Sequence, residues 1–238
     1  MTSPSAGTRE AGGVAVIVPA AGAGERLGAG VPKALALVGG EPILAHAVRG
    51  LVAEPRVGLV VLAAPEGMEE QMAGVAARRA SGIPVVAVTG GATRAESVRR
   101  ALRAVPDSFD VVLVHDAARC LVPVEVVAAV IDAVRAGASA AVPGLPVVDT
   151  IRQLQPGGGS RTIDRSLLRA VQTPQGFPAA VLRRAHETGD VAATDDAGMV
   201  EALGLPVELV AGHTRALKVT TPQDLLLAEA ILAGEVAS

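Results

Sequence analysis

The chain is nearly devoid of aromatic side chains: its 238 residues include two Phe, no Tyr and no Trp. Its core must therefore be aliphatic, and the ring platforms on which single-stranded nucleic acids stack are missing. Excess positive charge is missing as well. The formal net charge of −3 leaves no basic footprint for a polyanionic polymer. The one cysteine, Cys120, excludes an internal disulfide and fits a reducing compartment. No apolar run reaches membrane-spanning length without Gly, Pro or a charge interrupting it. The leading "MTSPSAGTREAGG" lacks the basic-then-apolar order of a signal peptide and reads as a disordered lead-in over residues 1–13. These absences point to a cytoplasmic protein with no nucleic-acid and no membrane partner. What the chain does have is aliphatic: half of it is hydrophobic, enough for a sizeable core in one domain spanning 14–238.

Strand-like and helix-like patterns alternate through the first two thirds. "VAVIVPA", "VGLVVLAA", "IPVVAVTGG", "FDVVLVHDAAR" and "ASAAVPGLPV" are apolar runs of the kind buried on both faces of a parallel sheet. Between them, "PILAHAVRGLVAEP", "EGMEEQMAGVAARRA", "TRAESVRRALRAV" and "VEVVAAVIDAVRAG" repeat apolar residues at helical spacing. Such a rhythm predicts an α/β fold with a doubly wound, mostly parallel sheet. It breaks at about 147–171, where short alternating segments flank "PGGGS". This stretch is expected to be a protruding two-stranded β-arm. A lone hairpin is marginal in water, so the arm needs something to pack on, and a second subunit would serve. Beyond it, a helix over "PAAVLRRAHETG", a short helix after "TDDAG", strands at "PVELVAG" and "RALKVT", and a closing helix "PQDLLLAEAILAG" are expected.

The chemistry begins at "VPAAGAGERLGAGVPKAL". It lies at the carboxyl end of the first strand, where open α/β sheets bind ligands. Gly22 and Gly24 let backbone N–H groups approach an anion closely. A dinucleotide loop would need a third glycine where Leu27 stands. A Walker loop would need Gly-Lys-Ser/Thr, whereas Lys33 lies between Pro32 and Ala34. A plain strand-to-helix turn accounts for the glycines but not for the spaced cations Arg26 and Lys33. What remains is a glycine loop with two separated cations and no dedicated hydroxyl for a metal.

"AAGAGERLG…PKAL" is similar to the signature loop of nucleotidyltransferases that join a sugar or polyol phosphate to a nucleoside triphosphate. With "GGATRAESV", "VHDAAR", "DTI", "QTPQGF", "TDDAG" and "LKVTTPQDL" following in order, the chain resembles the 2-C-methyl-D-erythritol 4-phosphate cytidylyltransferases of the non-mevalonate isoprenoid pathway. The resemblance runs from about Val14 to Leu232. It implies a Rossmann-like nucleotidyltransferase fold, CTP and a polyol phosphate as substrates, and in-line attack of the acceptor phosphate on the α-phosphorus. Such a reaction needs positioning and cations more than a base. The matching positions make Arg26, Lys33 and Lys218 the catalytic cations. They assign Ala20, Ala21, Gly22, Gly24, Gly90, Gly91 and Ser97 to the nucleotide, and Arg119, Thr150, Arg165, Thr173 and Thr194 to the acceptor. Asp116 would hold Mg²⁺, since a carboxylate among triphosphates is repelled unless a divalent cation intervenes; capping a helix is its alternative role. In the family two arms cross in a homodimer, which would carry Arg165 and Thr173 to the partner's site.

Several positions depart from the family or stay outside the chemistry. Cys120 stands where proline is usual, Ala92 where an acidic or polar residue is common, and Arg152 where lysine is frequent. No covalent step is needed, so Cys120 is not expected to be a nucleophile. Arg94 is placed at the pocket rim, Asp195 and Asp196 at a helix N-terminus, and His46 and His186 in packing or surface roles; His213 is assigned nothing. Two rival readings stay open. One is a cytidylyltransferase for another polyol phosphate, such as ribitol 5-phosphate. The other is a non-catalytic nucleotide-binding regulator on the same fold.

Overall fold

The computed structural model describes residues 13–22, 32–188 and 194–234. The lead-in over 1–12 lies outside them, and Gly13, expected to belong to that lead-in, begins the first strand. This strand, β1 (Gly13–Pro19), is buried along its length. A two-residue pair follows, β2 (Leu37–Val38) and β3 (Glu41–Pro42), then α1 (Ile43–Val52), β4 (Val57–Ala64), α2 (Glu69–Ala77), β5 (Val85–Thr89), α3 (Arg94–Leu102), β6 (Phe109–Val114), α4 (Val124–Arg135) and β7 (Ala141–Pro146). The arm carries β8 (Ile151–Leu154) and β9 (Ser160–Ile163). The chain ends with β10 (Arg169–Val171), β11 (Gln175–Pro178), α5 (Ala179–Thr188), α6 (Asp196–Ala202), β12 (Glu208–Ala211) and α7 (Pro222–Leu232).

The main sheet runs β10-β7-β11-β6-β1-β4-β5, with β12 also beside β7. Strand β1 pairs in parallel with β4 and β6, and β4 with β5. Alternation along β1 explains why this strand sits in the middle. Val14, Val16 and Val18 face a cluster shared with α1, α2 and α4. Ala15 and Ile17 face a second cluster shared with α3, α5 and α6. Both layers are mainly aliphatic; Phe177 is fully buried in the second, and Phe109 packs against it. Helix α7 covers a smaller cluster with Val38, Ile43, Cys120 and Val219. It starts from a capping box in which Thr221 and Asp224 satisfy each other's backbone N–H groups.

Two expectations are corrected, and two elements stand where none was expected. Strand β11 comes from "QTPQGF", which shows no apolar run; it is buried because it is inserted antiparallel beside β6. The arm is shorter than 147–171, because β10 returns to the main sheet as an antiparallel neighbour of β7. "RALKVT" is not a strand: Thr214–Ala216 makes a single 3-10 turn, and the residues after it are extended without a ladder partner. The β2–β3 pair was not foreseen. In the arm itself, β8 and β9 pair with Ile151 opposite Ile163. Their turn closes through Gly157, Gly158 and Gly159, all at positive φ, a conformation that other residues adopt only with strain.

Insertion of β11 leaves no spare volume. A Cβ on Gly176 would lie 2.4 Å from Val130 Cγ1 and 3.0 Å from Leu113 Cδ2. Gly176→Ala should therefore destabilise by about 1–3 kcal/mol through overpacking. Gly74 lies in α2 with open space beside it, and Gly74→Ala should stabilise by about 0.5–1 kcal/mol. Denaturant midpoints of the two variants check both signs.

Candidate active site

At the carboxyl ends of β1 and β6 a cleft of about 540 Å³ opens between loops. One wall is backbone: Ala20, Ala21 and Gly22 leave β1, with open space beside Gly22. The opposite wall is the turn into α3, from Gly91 to Arg94, with Ser97 behind it. This turn packs against the first wall closely enough to demand glycine. A Cβ on Gly90 would fall 2.4 Å from the Ala21 Cβ, and one on Gly91 2.3 Å from Glu96 Cγ. The Ser97 hydroxyl accepts the Gly91 N–H at 3.0 Å and donates to the Thr93 carbonyl at 2.9 Å. Ser97 thus shapes this wall from within. Gly90 stands behind the cleft lining, and Gly24 and Arg26 lie outside the described residues.

The floor is electrostatic. Asp116, just past β6, accepts from Arg94 Nε at 3.2 Å on Oδ1 and from Lys218 Nζ at 2.7 Å on Oδ2. Burial alone would raise its carboxyl; the charges of Arg94 and Lys218 outweigh that and hold it at about 2. It is therefore ionised at neutral pH. Its side chain binds cations and caps no helix. Lys33 and Thr220 complete the lining.

Arg94 reaches deeper than the rim. Its second contact, at 2.7 Å, is with Asp196 Oδ2, and Asp196 Oδ1 lies 2.9 Å from His186 Nε2. Asp196 is fully buried. It does not share Asp195's role: Asp195 alone caps α6, accepting the Gly198 N–H at 2.9 Å. His186 packs as expected, but as the partner of this carboxylate. His46 is likewise buried, between the Val38 carbonyl and Arg49.

The segment "QTPQ" pins the floor from below. Gln172 donates to the His213 and Ala216 carbonyls and accepts the His213 N–H, which fixes the segment leading to Lys218. Gln175 donates to Asp195 Oδ2 at 2.7 Å and accepts the Ala197 N–H, which fixes the start of α6. Between them Thr173 accepts the Asp116 N–H at 3.1 Å and meets His115 Nδ1 at 3.1 Å. Burial pushes the His115 ring down to about 4, so it is neutral at pH 7. Its Nε2 faces the Arg119 carbonyl, which only accepts. The proton therefore sits on Nε2, and Nδ1 receives the Thr173 hydroxyl. Thr173 belongs to its own chain's site, contrary to the expectation that it crosses to a partner.

Other expected acceptor residues lie elsewhere. Arg119 does not line the cleft; its guanidinium donates to the carbonyls of Ala216 at 2.7 Å and Val171 at 3.1 Å. It ties the Lys218 segment to the base of the arm. Thr150 is exposed on the arm, as is Arg165, which donates to the Val148 carbonyl. Thr194 is exposed beside the α6 cap. Cys120 is buried and its thiol is pushed up to about 11, which leaves no thiolate for nucleophilic attack.

Residues 14–234 match the family model of 2-C-methyl-D-erythritol 4-phosphate cytidylyltransferase. The chain belongs to this family. It is 54% identical over 226 residues to the 2-C-methyl-D-erythritol 4-phosphate cytidylyltransferase of Saccharopolyspora erythraea, covering 92% of this chain and 99% of the relative. To that of Streptomyces coelicolor it is 52% identical over 228 residues, covering 92% and 84%. The crystal structure of the Thermus thermophilus cytidylyltransferase is 40% identical, with a TM-score of 0.76 over 93% of this chain and 99% of that one. The doubly wound sheet with its separate hairpin is the fold of this cytidylyltransferase family.

A neutral His115 beneath the floor has a measurable signature. Its folded-state value lies below the unfolded one, so its contribution to stability is complete above about pH 6.5, the unfolded value. The contribution is lost as the pH falls toward 4. The loss across that window is on the order of 3 kcal/mol. Denaturant unfolding in metal-free buffer should show it, and His115→Gln should flatten the slope.

Proposed function

We propose that the cleft transfers the cytidylyl group of CTP to 2-C-methyl-D-erythritol 4-phosphate, releasing pyrophosphate, as the cytidylyltransferase step of non-mevalonate isoprenoid synthesis. The observation that carries this reading is Lys33 and Lys218 lining one cleft that has bare backbone, Ala20 to Gly22, as one of its walls. The acceptor phosphate is already ionised and attacks the α-phosphorus in line while pyrophosphate leaves. Negative charge concentrates on the α-phosphoryl group. Lys33, Lys218 and Arg26, seven positions before Lys33 in the chain, neutralise it. A cation at about 4 Å is worth roughly 4 kcal/mol at an effective dielectric near 20. Half of that, realised only in the transition state, is a rate factor of about 30. Gly22, Gly91 and Ser97 shape the nucleotide side, where small residues let the main chain meet the base and phosphates.

Magnesium fits this floor in one mode. Among the described residues no group of three or more His, Cys, Asp or Glu could hold a metal, so an all-protein cage is excluded there. Among the described residues lining the cleft, Asp116 alone offers a carboxylate, and each of its oxygens keeps acceptor capacity beyond its one cation contact. Mg²⁺ commonly binds through one carboxylate plus phosphates and water. Bound there, it would offset triphosphate charge.

The acceptor side calls for a second chain. Thr150 and Arg165 stand on the arm, away from their own cleft, and the arm region exposes Val148, Leu154 and Leu167 at 78%, 81% and 82%. Apolar side chains so placed on a hairpin fit burial against a partner's arm, in a homodimer that delivers Arg165 to the neighbouring acceptor site. Among the described residues no helix is long and apolar enough to cross a membrane.

Pyrophosphate release from CTP with either acceptor tests the reading. Methylerythritol phosphate should be preferred, and a preference for ribitol 5-phosphate would overturn that choice. Lys33→Ala and Arg26→Ala should each lower kcat by about 30-fold or more, with much smaller changes in the KM for CTP; near-normal turnover in both would contradict the mechanism. Sedimentation should find a dimer that Leu154→Asp with Leu167→Asp converts to monomer.

A further inference from the structure

Asp116 has two cationic partners, and they are not equivalent. Lys218 is about half exposed, at 46%, on a long single-charge stem facing the cleft. Arg94 is clamped from two sides: Nε on Asp116 Oδ1 at 3.2 Å, and a terminal nitrogen on Asp196 Oδ2 at 2.7 Å. Behind it Asp196 is held by His186 Nε2 at 2.9 Å, with both side chains almost wholly buried. The four groups come from different elements: Arg94 is the first residue of α3, Asp116 follows β6, Asp196 is the first residue of α6, and His186 lies in α5. Two carboxylates thus face two cations, and only one cation, Lys218, is free to turn toward an incoming phosphate. If it turns, Asp116 would be a largely buried carboxylate without its nearest counter-charge, a costly arrangement unless another cation stays.

We propose that Arg94 is a positioning residue: anchored by the buried Asp196–His186 pair, it keeps the Asp116 carboxylate aimed into the cleft when Lys218 leaves it for substrate. This rests on the cytidylyltransferase reading for its kinetics but not for its geometry. The planar guanidinium is needed because it presents separate N–H donors to two carboxylates at once. A lysine carries the same charge on one point and cannot span both. The pairing also couples the nucleotide wall to the floor, since the residue that steadies Asp116 opens the helix that carries Ser97.

A structural role and a positioning role separate in a set of variants. Arg94→Met strands Asp196 without its cation and should lower thermal stability. Arg94→Met with Asp196→Asn removes both charges, so the thermal midpoint should recover while kcat stays down. Arg94→Lys should keep most of the stability yet lose about 10-fold or more in kcat, with the KM for CTP changed by less than about 3-fold. In a crystal structure of the double variant with CTP bound, where Lys218 is drawn off, the Asp116 side chain should have left its present direction, a readout independent of turnover. Wild-type pyrophosphate release, measured alongside, decides the activity itself. If the double variant regains kcat together with stability, or if Asp116 is unmoved in it, Arg94 is structural and the proposal falls. Wild-type turnover in Arg94→Lys would overturn it equally.

Discussion

A carboxylate placed in a largely dry site at the end of a central strand is unfavourable unless opposite charge meets it, and Asp116 is met on both oxygens. Much else in the molecule follows from that requirement. Strand β6 delivers Asp116, and Thr173 holds its N–H from below. Lys218 is brought up by a segment that no ladder supports. That segment is fixed instead by Gln172, by Arg119 and by the Val219 N–H on the Ala118 carbonyl at 2.8 Å. Arg94 comes from the opposite wall. The site is a point where four separate stretches of chain converge on one charge.

The sheet was legible in the sequence wherever burial on both faces writes a continuous aliphatic run, as in β1, β4 and β6. It was not legible at β11, because "QGFP" has no such run. That strand owes its place to the fit of Gly176 against Val130 and Leu113, which are distant in sequence. "RALKVT" misled in the opposite direction: it reads as a strand, but no ladder forms there, and Gln172 and Arg119 both take the Ala216 carbonyl.

Site residues divided along the same line. That Ala20 to Gly22 and Asp116 would meet at one cleft could be read from the ends of two strands, whereas Lys33 and Lys218, which also line it, were placed by the family resemblance. Arg94, Asp196 and His186 could not be assembled, since Arg94 and Asp196 are separated by 102 positions and their pairing is a fact of packing. The signal was present in part. "GGATRAESV" and "TDDAG" were both singled out, but two adjacent aspartates before a helix gave no means of telling the capping Asp195 from the buried Asp196. Arg119 shows the converse: a cation three residues beyond Asp116 looks like a phosphate clamp until its guanidinium is found spent on two carbonyls.

Backbone and charge thus divide the work. Glycines and alanines leave one wall of the cleft bare, and a few cations around Asp116 supply the field. The central claim is that these cations converge on the α-phosphate. A crystal structure with CTP bound tests it most directly. The account predicts the α-phosphate between Lys33 and Lys218, with Lys218 drawn away from Asp116 and Arg94 still in place. A triphosphate lying elsewhere, with Lys218 still paired to Asp116, would contradict it.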